Sequence, residues 1–293
     1  MQQKLEKPQW LKIRLTVNDG FSNIKNTLKT HQLHTVCEEA HCPNISECWN
    51  TGTATFMLMG DTCTRGCKFC AVKTGNPMQK LNENEPKKLA EALAEIKLFD
   101  YVVLTSVNRD DLSDGGASHF AECIKEIKKA YPEIIVEVLI PDFNGKIESL
   151  KKIADVNPDV IAHNIETVER LQKKVRDVRA NYKQSLSVLE NVKKLSPNIY
   201  TKSSIMLGLE ETDEEIIQSM KDLRAIDVDI LTIGQYLRPT DWHIPISEFV
   251  SPQKFEYFKQ KALEMGFLFC ASGPFVRSSY KAGELFVKNV LNS

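Results

Sequence analysis

The stretch Thr53-Ala54-Thr55-Phe56-Met57-Leu58-Met59-Gly60-Asp61-Thr62-Cys63-Thr64-Arg65-Gly66-Cys67-Lys68-Phe69-Cys70 joins an apolar run to a polar loop with three cysteines. Residues 53–59 show no polar alternation, as expected of a strand buried on both faces. Gly60-Asp61 then ends the run. The three cysteines read C-x3-C-x2-C, and thiolates that close together can ligate three corners of a cuboidal 4Fe–4S cluster. A fourth corner stays open to a small molecule. Zinc is the alternative, but structural zinc takes four protein ligands, usually in two C-x2-C-type pairs, and nothing completes such a set with Cys67 and Cys70. Purely structural thiols are a third reading, and they fit a polar loop poorly.

Outward from this stretch, short apolar runs alternate with amphipathic ones. Strands are expected at 53–59, 101–106, 134–140, 160–164, 200–206 and 229–235, rich in Val, Ile, Leu and Thr. Helical spacing places Leu89, Leu93 and Ile96 on one stripe of 85–96, and Phe120, Ile124 and Ile127 on one stripe of 117–130. Further helices are expected at 146–155, 182–195, 212–226 and 251–265. Thr212 and Glu215 stand at capping-box spacing, and Pro252 and Gly266 bracket the last helix. Six strand–helix units in succession imply a parallel sheet with right-handed crossovers, as an open doubly wound sheet or an incomplete β/α barrel. Either way, functional loops follow the C-terminal strand ends. The first 50 residues read as irregular, extended at 7–12 with a short helix at 20–30.

The chain has 293 residues, net charge −1, 42% hydrophobic and 26% charged residues, which excludes a disordered chain. No apolar run approaches the roughly 20 residues that span a bilayer, so no membrane role is expected. Near-neutral charge gives no case for nucleic-acid binding. Met1–Glu6 has no apolar or arginine-rich targeting pattern, and a cytoplasmic location is expected. Six of the eight cysteines fall within 34 positions, and a reducing compartment points these to metal ligation or thiol chemistry. The second trio, Cys37, Cys42 and Cys48, reads C-x4-C-x5-C, too open for a zinc knuckle and again one ligand short of a cluster. His41 offers a nitrogen there, though such a histidine is more often solvated. Cys123 shares an apolar helix stripe with Phe120 and Ile127, and Cys270 follows Phe267-Leu268-Phe269; both read as core.

The C-x3-C-x2-C loop with Phe69 before its last cysteine, placed after the first strand of a β/α barrel, resembles the radical S-adenosylmethionine superfamily. The second trio, Arg109-Asp110-Asp111-Leu112-Ser113-Asp114-Gly115-Gly116-Ala117, Gln235-Tyr236-Leu237-Arg238-Pro239 and Gly273-Pro274-Phe275-Val276-Arg277-Ser278-Ser279-Tyr280 are similar to the lipoyl synthase family, covering about residues 8–284. The resemblance implies an incomplete (β/α)6 barrel at 51–266, an N-terminal extension at 1–50 carrying an auxiliary cluster, and a tail at 267–293 closing over it.

It further implies two 4Fe–4S clusters and S-adenosylmethionine. Cys63, Cys67 and Cys70 would hold the radical-generating cluster. Cys37, Cys42, Cys48 and Ser279 would hold the auxiliary one, the sulfur source. The implied reaction inserts sulfur at C6 and C8 of an octanoyl chain on a lysine of a lipoyl-carrier protein, either the glycine cleavage H protein or a 2-oxoacid dehydrogenase E2 lipoyl domain. Implied partners are a low-potential electron donor of ferredoxin or flavodoxin type and an iron–sulfur carrier. A hard alkoxide holds soft iron weakly, which suits a cluster that is dismantled; read without the resemblance, Ser278 and Ser279 are a polar turn.

The resemblance places Thr105, Asn108, Asn164, Glu166 and Arg179 near S-adenosylmethionine, with His163 beside them. Each is otherwise a loop cap or surface ion pair. Lys202 and Arg238 either line the substrate channel or are buried, paired cations. One departure stands out: the family's glycine-leucine-glycine-glutamate-threonine is here Gly208-Leu209-Glu210-Glu211-Thr212, without the second glycine. Rival readings are a two-cluster methylthiotransferase, which needs a longer N-terminal domain, and a zinc-ligated binding module, which metal analysis would separate.

Overall fold

The computed structural model describes residues 6–12, 19–40, 42–50, 53–78, 80–96 and 100–280. The N-terminal part contains α1 (Asp19–His31), β1 (His34–Thr35), α2 (Val36–Glu39) and α3 (Ile45–Asn50). It is more ordered than the sequence suggests. Gln9–Leu11 forms a 3-10 turn rather than an extended segment, because Leu11 is fully buried. Helices of four and six residues are too short to show periodicity. Thr35 caps α2 by accepting from Glu38 N, and Trp49 on α3 is wholly buried beside Phe21.

The main sheet follows as β2 (Thr55–Leu58), then a small pair β3 (Thr62–Cys63) and β4 (Lys73–Thr74), and helix α4 (Glu85–Ile96). Next come β5 (Tyr101–Ser106), α5 (Ala117–Ala130), β6 (Ile135–Leu139), α6 (Ile147–Ala154), β7 (Val160–Ala162) and α7 (Gln172–Val175). The chain then runs through α8 (Tyr182–Leu195), β8 (Tyr200–Leu207), α9 (Asp213–Ala225), β9 (Ile230–Gln235), α10 (Pro252–Glu264) and β10 (Phe269–Gly273). Strand order is β1-β2-β5-β6-β7-β8-β9-β10, parallel throughout except for β1 against β2. No pairing between β2 and β10 closes the sheet among the described residues, so the barrel is incomplete. The strand that holds Cys270 pairs with β9 and adds a seventh parallel strand to the six expected.

Helix ends follow their local signals. Thr212 and Glu215 form a reciprocal capping box, Ser251 caps α10 ahead of Pro252, and Gly266 takes φ +90° just past its end. The inner face is layered because side chains repeat every second residue along a strand. Tyr101, Ile135, Val160, Tyr200, Ile230 and Phe269, the first residues of six consecutive strands, pack as one apolar cluster with Val103. That cluster floors the barrel. Two residues further along, Glu137 and Lys202 are buried and polar, so the interior changes character toward the C-terminal strand ends.

Candidate active site

The Cys63–Cys70 loop leaves β2 and is held by loops from three other strands. Asn108, after β5, donates its backbone N–H to Cys63 Sγ at 3.3 Å, and Thr64 N and Oγ1 each donate to Asn108 O at 3.0 Å. Asp177, beyond β7, donates its N–H to Cys67 Sγ at 3.3 Å and accepts from Gly66 N at 2.8 Å. His243, after β9, places Nε2 3.0 Å from Cys70 O. Burial pushes the Cys67 thiol up to about 11 and Cys70 up to about 12, with the neighbouring cysteines adding to both. Buried thiols become thiolates when a metal supplies compensating charge. Three converging soft donors, two with N–H groups aimed at sulfur, fit an iron–sulfur cluster with one open corner.

Arg65 anchors this loop and escaped the sequence reading although it stands inside the motif. Arg65 is 4% exposed, and its guanidinium forks onto Asp110 (2.8 and 3.0 Å), Asp142 (2.6 and 2.7 Å) and Asn144 Oδ1 (2.8 Å). Against the upward push of burial, hydrogen bonds from Arg65 and Thr64 hold the Asp110 carboxyl down at about 2. Asp142 is likewise held below its ordinary value by Arg65 despite burial. This is a charge-assisted, bidentate clamp.

The second trio gathers beneath the returning tail. Cys37 and Cys48 are buried and Cys42 is half-buried; His41 lies outside the described residues. Burial, reinforced by Cys42, raises Cys37 to about 11, and the backbone and hydroxyl of Thr55 act on its sulfur to hold part of that rise back. Thr55 Oγ1 also donates to Ser279 Oγ at 2.9 Å, so one hydroxyl connects Cys37 to Ser279. Asn44 Nδ2 donates to Phe275 O at 2.7 Å, Tyr280 OH donates to Glu47 Oε2 at 3.1 Å, and Arg277 acts electrostatically on Cys42. At Gly234 a Cβ would collide with Val276 O, so only glycine lets the tail cross β9 there. Three thiols with an adjacent hydroxyl are a donor set for a second cluster.

The candidate S-adenosylmethionine contacts separate into two groups. Asn164 and Glu166 reach the cysteine loop: Glu166 acts electrostatically on Cys67 and Cys70, and Asn164 Nδ2 donates to Glu166 Oε1 at 3.2 Å. Asn164 Oδ1 is buried without a hydrogen-bond partner among the described residues. Glu166 takes φ +67°, and burial raises its carboxyl. By contrast, Thr105 Oγ1 donates to Leu139 O at 3.1 Å, and Asn108 meets the loop through its backbone. Arg179 is bound to Asp177, Asp110 and Thr64 O on the outside of the cysteine loop. His163 is a neutral clamp between Ile140 O and Ser185 Oγ, with burial pushing it down to about 4.

Lys202 is a buried, paired cation. Its Nζ donates to both Glu137 oxygens at 2.8 Å, and Tyr101 OH donates to the same carboxylate. Arg238 donates to His243 O at 2.7 Å and pins the loop after β9. Cys123 is fully buried as expected, but Glu85, His119 and Cys123 bring ligand atoms within 4.8 Å of one another. Glu85 is occupied there, accepting from Met59 N at 3.0 Å and pairing with His119 at 2.6 Å. That dyad fixes the residue from which the cysteine loop departs.

The family profile described as "Radical SAM superfamily" matches residues 57–223, and the profile "N-terminal domain of lipoyl synthase of Radical_SAM family" matches residues 1–42. The "Lipoyl synthase" of Halobacterium salinarum is 60% identical over 290 residues, covering 97% of this chain and 92% of that protein. The "Lipoyl synthase, apicoplast" of Plasmodium falciparum is 56% identical over 287 residues, covering 98% of this chain and 69% of that protein. The Plasmodium vivax relative is 56% identical over 98% of this chain, which spans 64% of its length. In Kluyveromyces lactis, "Lipoyl synthase, mitochondrial" is 57% identical over 97% of this chain and 78% of its own length.

Two solved structures share the fold. Methylornithine synthase has TM-score 0.56 at 14% identity, covering 88% of this chain and 75% of that one. The FeFe-hydrogenase maturase HydG from Carboxydothermus hydrogenoformans has TM-score 0.57 at 12% identity, covering 94% and 75%. Among the described residues no helix is long and apolar enough to cross a membrane. With both cysteine trios assembled on a radical-SAM-type barrel and relatives this similar along almost its whole length, the chain belongs to the lipoyl synthase family of the radical S-adenosylmethionine superfamily.

Proposed function

We propose that this chain inserts two sulfur atoms, at C6 and C8, into an octanoyl group amide-linked to a lysine of a lipoyl-carrier protein, a radical S-adenosylmethionine sulfurtransferase reaction. The observation that carries this reading is the meeting of Ser279 with the second trio: Thr55 bridges Ser279 and Cys37, and residues 275–280 lie over 44–55. Residues 1–50 act as the extension carrying the auxiliary cluster, 51–266 as the barrel, and 267–293 as the closing tail.

When bound, the radical cluster and S-adenosylmethionine supply one-electron cleavage and a radical able to take hydrogen from an unactivated C–H bond. Cys63, Cys67 and Cys70 hold that cluster, and the N–H groups of Asn108 and Asp177 stabilise their thiolates. Asn164 and Glu166, whose amide and carboxylate lie toward the cysteine loop, would accept from the amino group of S-adenosylmethionine, with Thr105 and Asn108 on the adjoining strand end. Arg179 acts by holding Asp177 and Thr64 rather than by touching the cofactor. Cys37, Cys42, Cys48 and Ser279 would hold the auxiliary cluster, which would supply the sulfur, with the Ser279 oxygen as its weakly held donor.

Partners in this reading are an octanoylated H protein or E2 lipoyl domain, a ferredoxin- or flavodoxin-type donor, and an iron–sulfur carrier that rebuilds the auxiliary site. Relatives carry the names apicoplast and mitochondrial. The compartment therefore follows the carrier protein, and a cytoplasmic location is one case of it. Anaerobic reconstitution, iron analysis and mass spectrometry of an octanoyl-lysyl peptide test the reading. The expected result is about eight irons per chain and a product carrying two added sulfur atoms. One or two zinc atoms without iron, or an unchanged peptide, would sink it.

A further inference from the structure

Trp49 directly follows Cys48 on α3 and is itself no ligand of either trio. It is wholly buried, in one packed cluster with Cys37, Cys48, Ile24 and Phe56. Phe21 of α1 lies against its ring at 4.9 Å between centroids. The backbone on either side is tied down: Cys48 N donates to Asn44 O at 2.9 Å, and Thr53 N donates to Cys48 O at 2.8 Å. Within this apolar setting the indole carries one polar atom. Nε1 is buried and makes no hydrogen bond among the described residues. A buried indole N–H ordinarily finds an acceptor, because leaving it bare forfeits the bond it made with water. A core that needed only bulk here is served by phenylalanine without that cost.

Cys37 is the sulfur on which this indole acts. Burial drives the Cys37 thiol up, and the Trp49 side chain is among the groups that oppose the rise. A neutral thiol is a weak acceptor, so the N–H stays unpaired beside it. Once iron takes the place of the thiol proton, the sulfur carries more charge and becomes the better acceptor. Thr55 acts on the same sulfur from β2, so α3 and β2 address Cys37 from two elements. Cys42 draws instead on the Asn44 backbone and the Arg277 charge.

We propose that the Trp49 indole N–H is the hydrogen-bond donor to Cys37 Sγ when that sulfur holds iron, and that it thereby sets the electron density at this corner of the second donor set. This rests on the reading of Cys37, Cys42, Cys48 and Ser279 as cluster ligands. An N–H directed at a ligand sulfur draws charge from it, which raises the reduction potential of the group held there. The same withdrawal loosens the grip of Cys37 on iron, a property that suits a donor set meant to release and rebind it. Trp49 acts only through Cys37 and is a positioning residue.

The test compares the anaerobically reconstituted full chain with Trp49→Phe and with a chain carrying benzothienylalanine at position 49. That analogue keeps the bicyclic shape and puts sulfur in place of the N–H. Resonance Raman spectra of protein reconstituted in H2O or D2O read the bond directly, since a hydrogen-bonded iron–sulfur stretch shifts with the isotope. The unmodified chain should show deuterium-sensitive bands, part of which both replacements lose. In an EPR-monitored redox titration, one of the two midpoint potentials should fall in both replacements while the other stays put. Bound iron should remain at about eight per chain with the analogue. Identical bands and potentials in the analogue and the unmodified chain would overturn the proposal. So would loss of half the iron in Trp49→Phe with the analogue behaving as the unmodified chain, which would leave Trp49 as core bulk. If Trp49→Phe does not fold, the analogue alone decides. About four irons in the unmodified chain would defeat the two-cluster reading, and this inference with it.

Discussion

Thr55 Oγ1 and Ser279 Oγ lie 2.9 Å apart, linking the first barrel strand to a residue 224 positions later. The same threonine hydrogen-bonds Cys37, so it orders both sides of the second donor set. Replacing it should loosen that set without reaching the radical loop.

Thr55→Val and Ser279→Ala are expected to lower bound iron from about eight toward about four per chain. Both should keep 5′-deoxyadenosine formation and lose at least tenfold in thiolated product. Ser279→Cys should retain iron and still turn over poorly, since thiolate holds iron more firmly than alkoxide. Product from Ser279→Ala at the unmodified rate would reduce this residue to a polar turn.

Removing Arg65 leaves Asp110 and Asp142 facing each other in a largely buried site. Arg65→Met should destabilise the fold by about 3–5 kcal/mol, read as a lower urea midpoint. The pH dependence follows from Asp110, whose folded value of about 2 lies below its ordinary 3.8. A depressed carboxyl contributes stability that is fully present above pH 3.8 and lost as pH falls toward 2. Urea midpoints at pH 5, 4 and 3 should drop more steeply for the unmodified chain than for Asp110→Asn.

Lys202 and Glu137 form an ion pair two residues above the apolar floor. Lys202→Met strands a buried carboxylate and should cost about 3–5 kcal/mol. Adding Glu137→Leu should recover most of that loss, because two apolar side chains avoid both desolvation costs. A double variant no more stable than Lys202→Met would mean that Tyr101, rather than the pair, decides the layer.

Glu210 occupies the position of the absent glycine and pays in backbone strain, at φ +84°. Left-handed backbone costs a non-glycine residue roughly 1–2 kcal/mol, and its exposed pair with Lys174 offsets at most about 1 kcal/mol. Glu210→Gly should therefore raise the melting temperature by about 2 °C with activity unchanged. A lower melting temperature would show that the pair outweighs the strain.

Secondary structure and the two donor trios were legible from local spacing. Apolar runs marked six strands, stripes at helical spacing marked the outer helices, and Thr212 with Glu215 marked a cap that the fold reproduces. C-x3-C-x2-C determined by itself that three thiols share one loop. The short helices α2 and α3 were not legible, since four and six residues complete too few turns to show a stripe.

What tertiary structure alone decided is which distant groups meet. Arg65 finds Asp142 77 residues away, Cys67 receives its N–H from Asp177 110 residues away, and His163 and Lys202 are consumed by neighbours on adjacent elements. Periodicity reports which face a residue occupies, whereas pairing across a barrel depends on the stagger of parallel strands and the path of each crossover. Those are settled by packing the whole sheet, and so the tail reaches Thr55 only after β10 has joined β9 and carried it there.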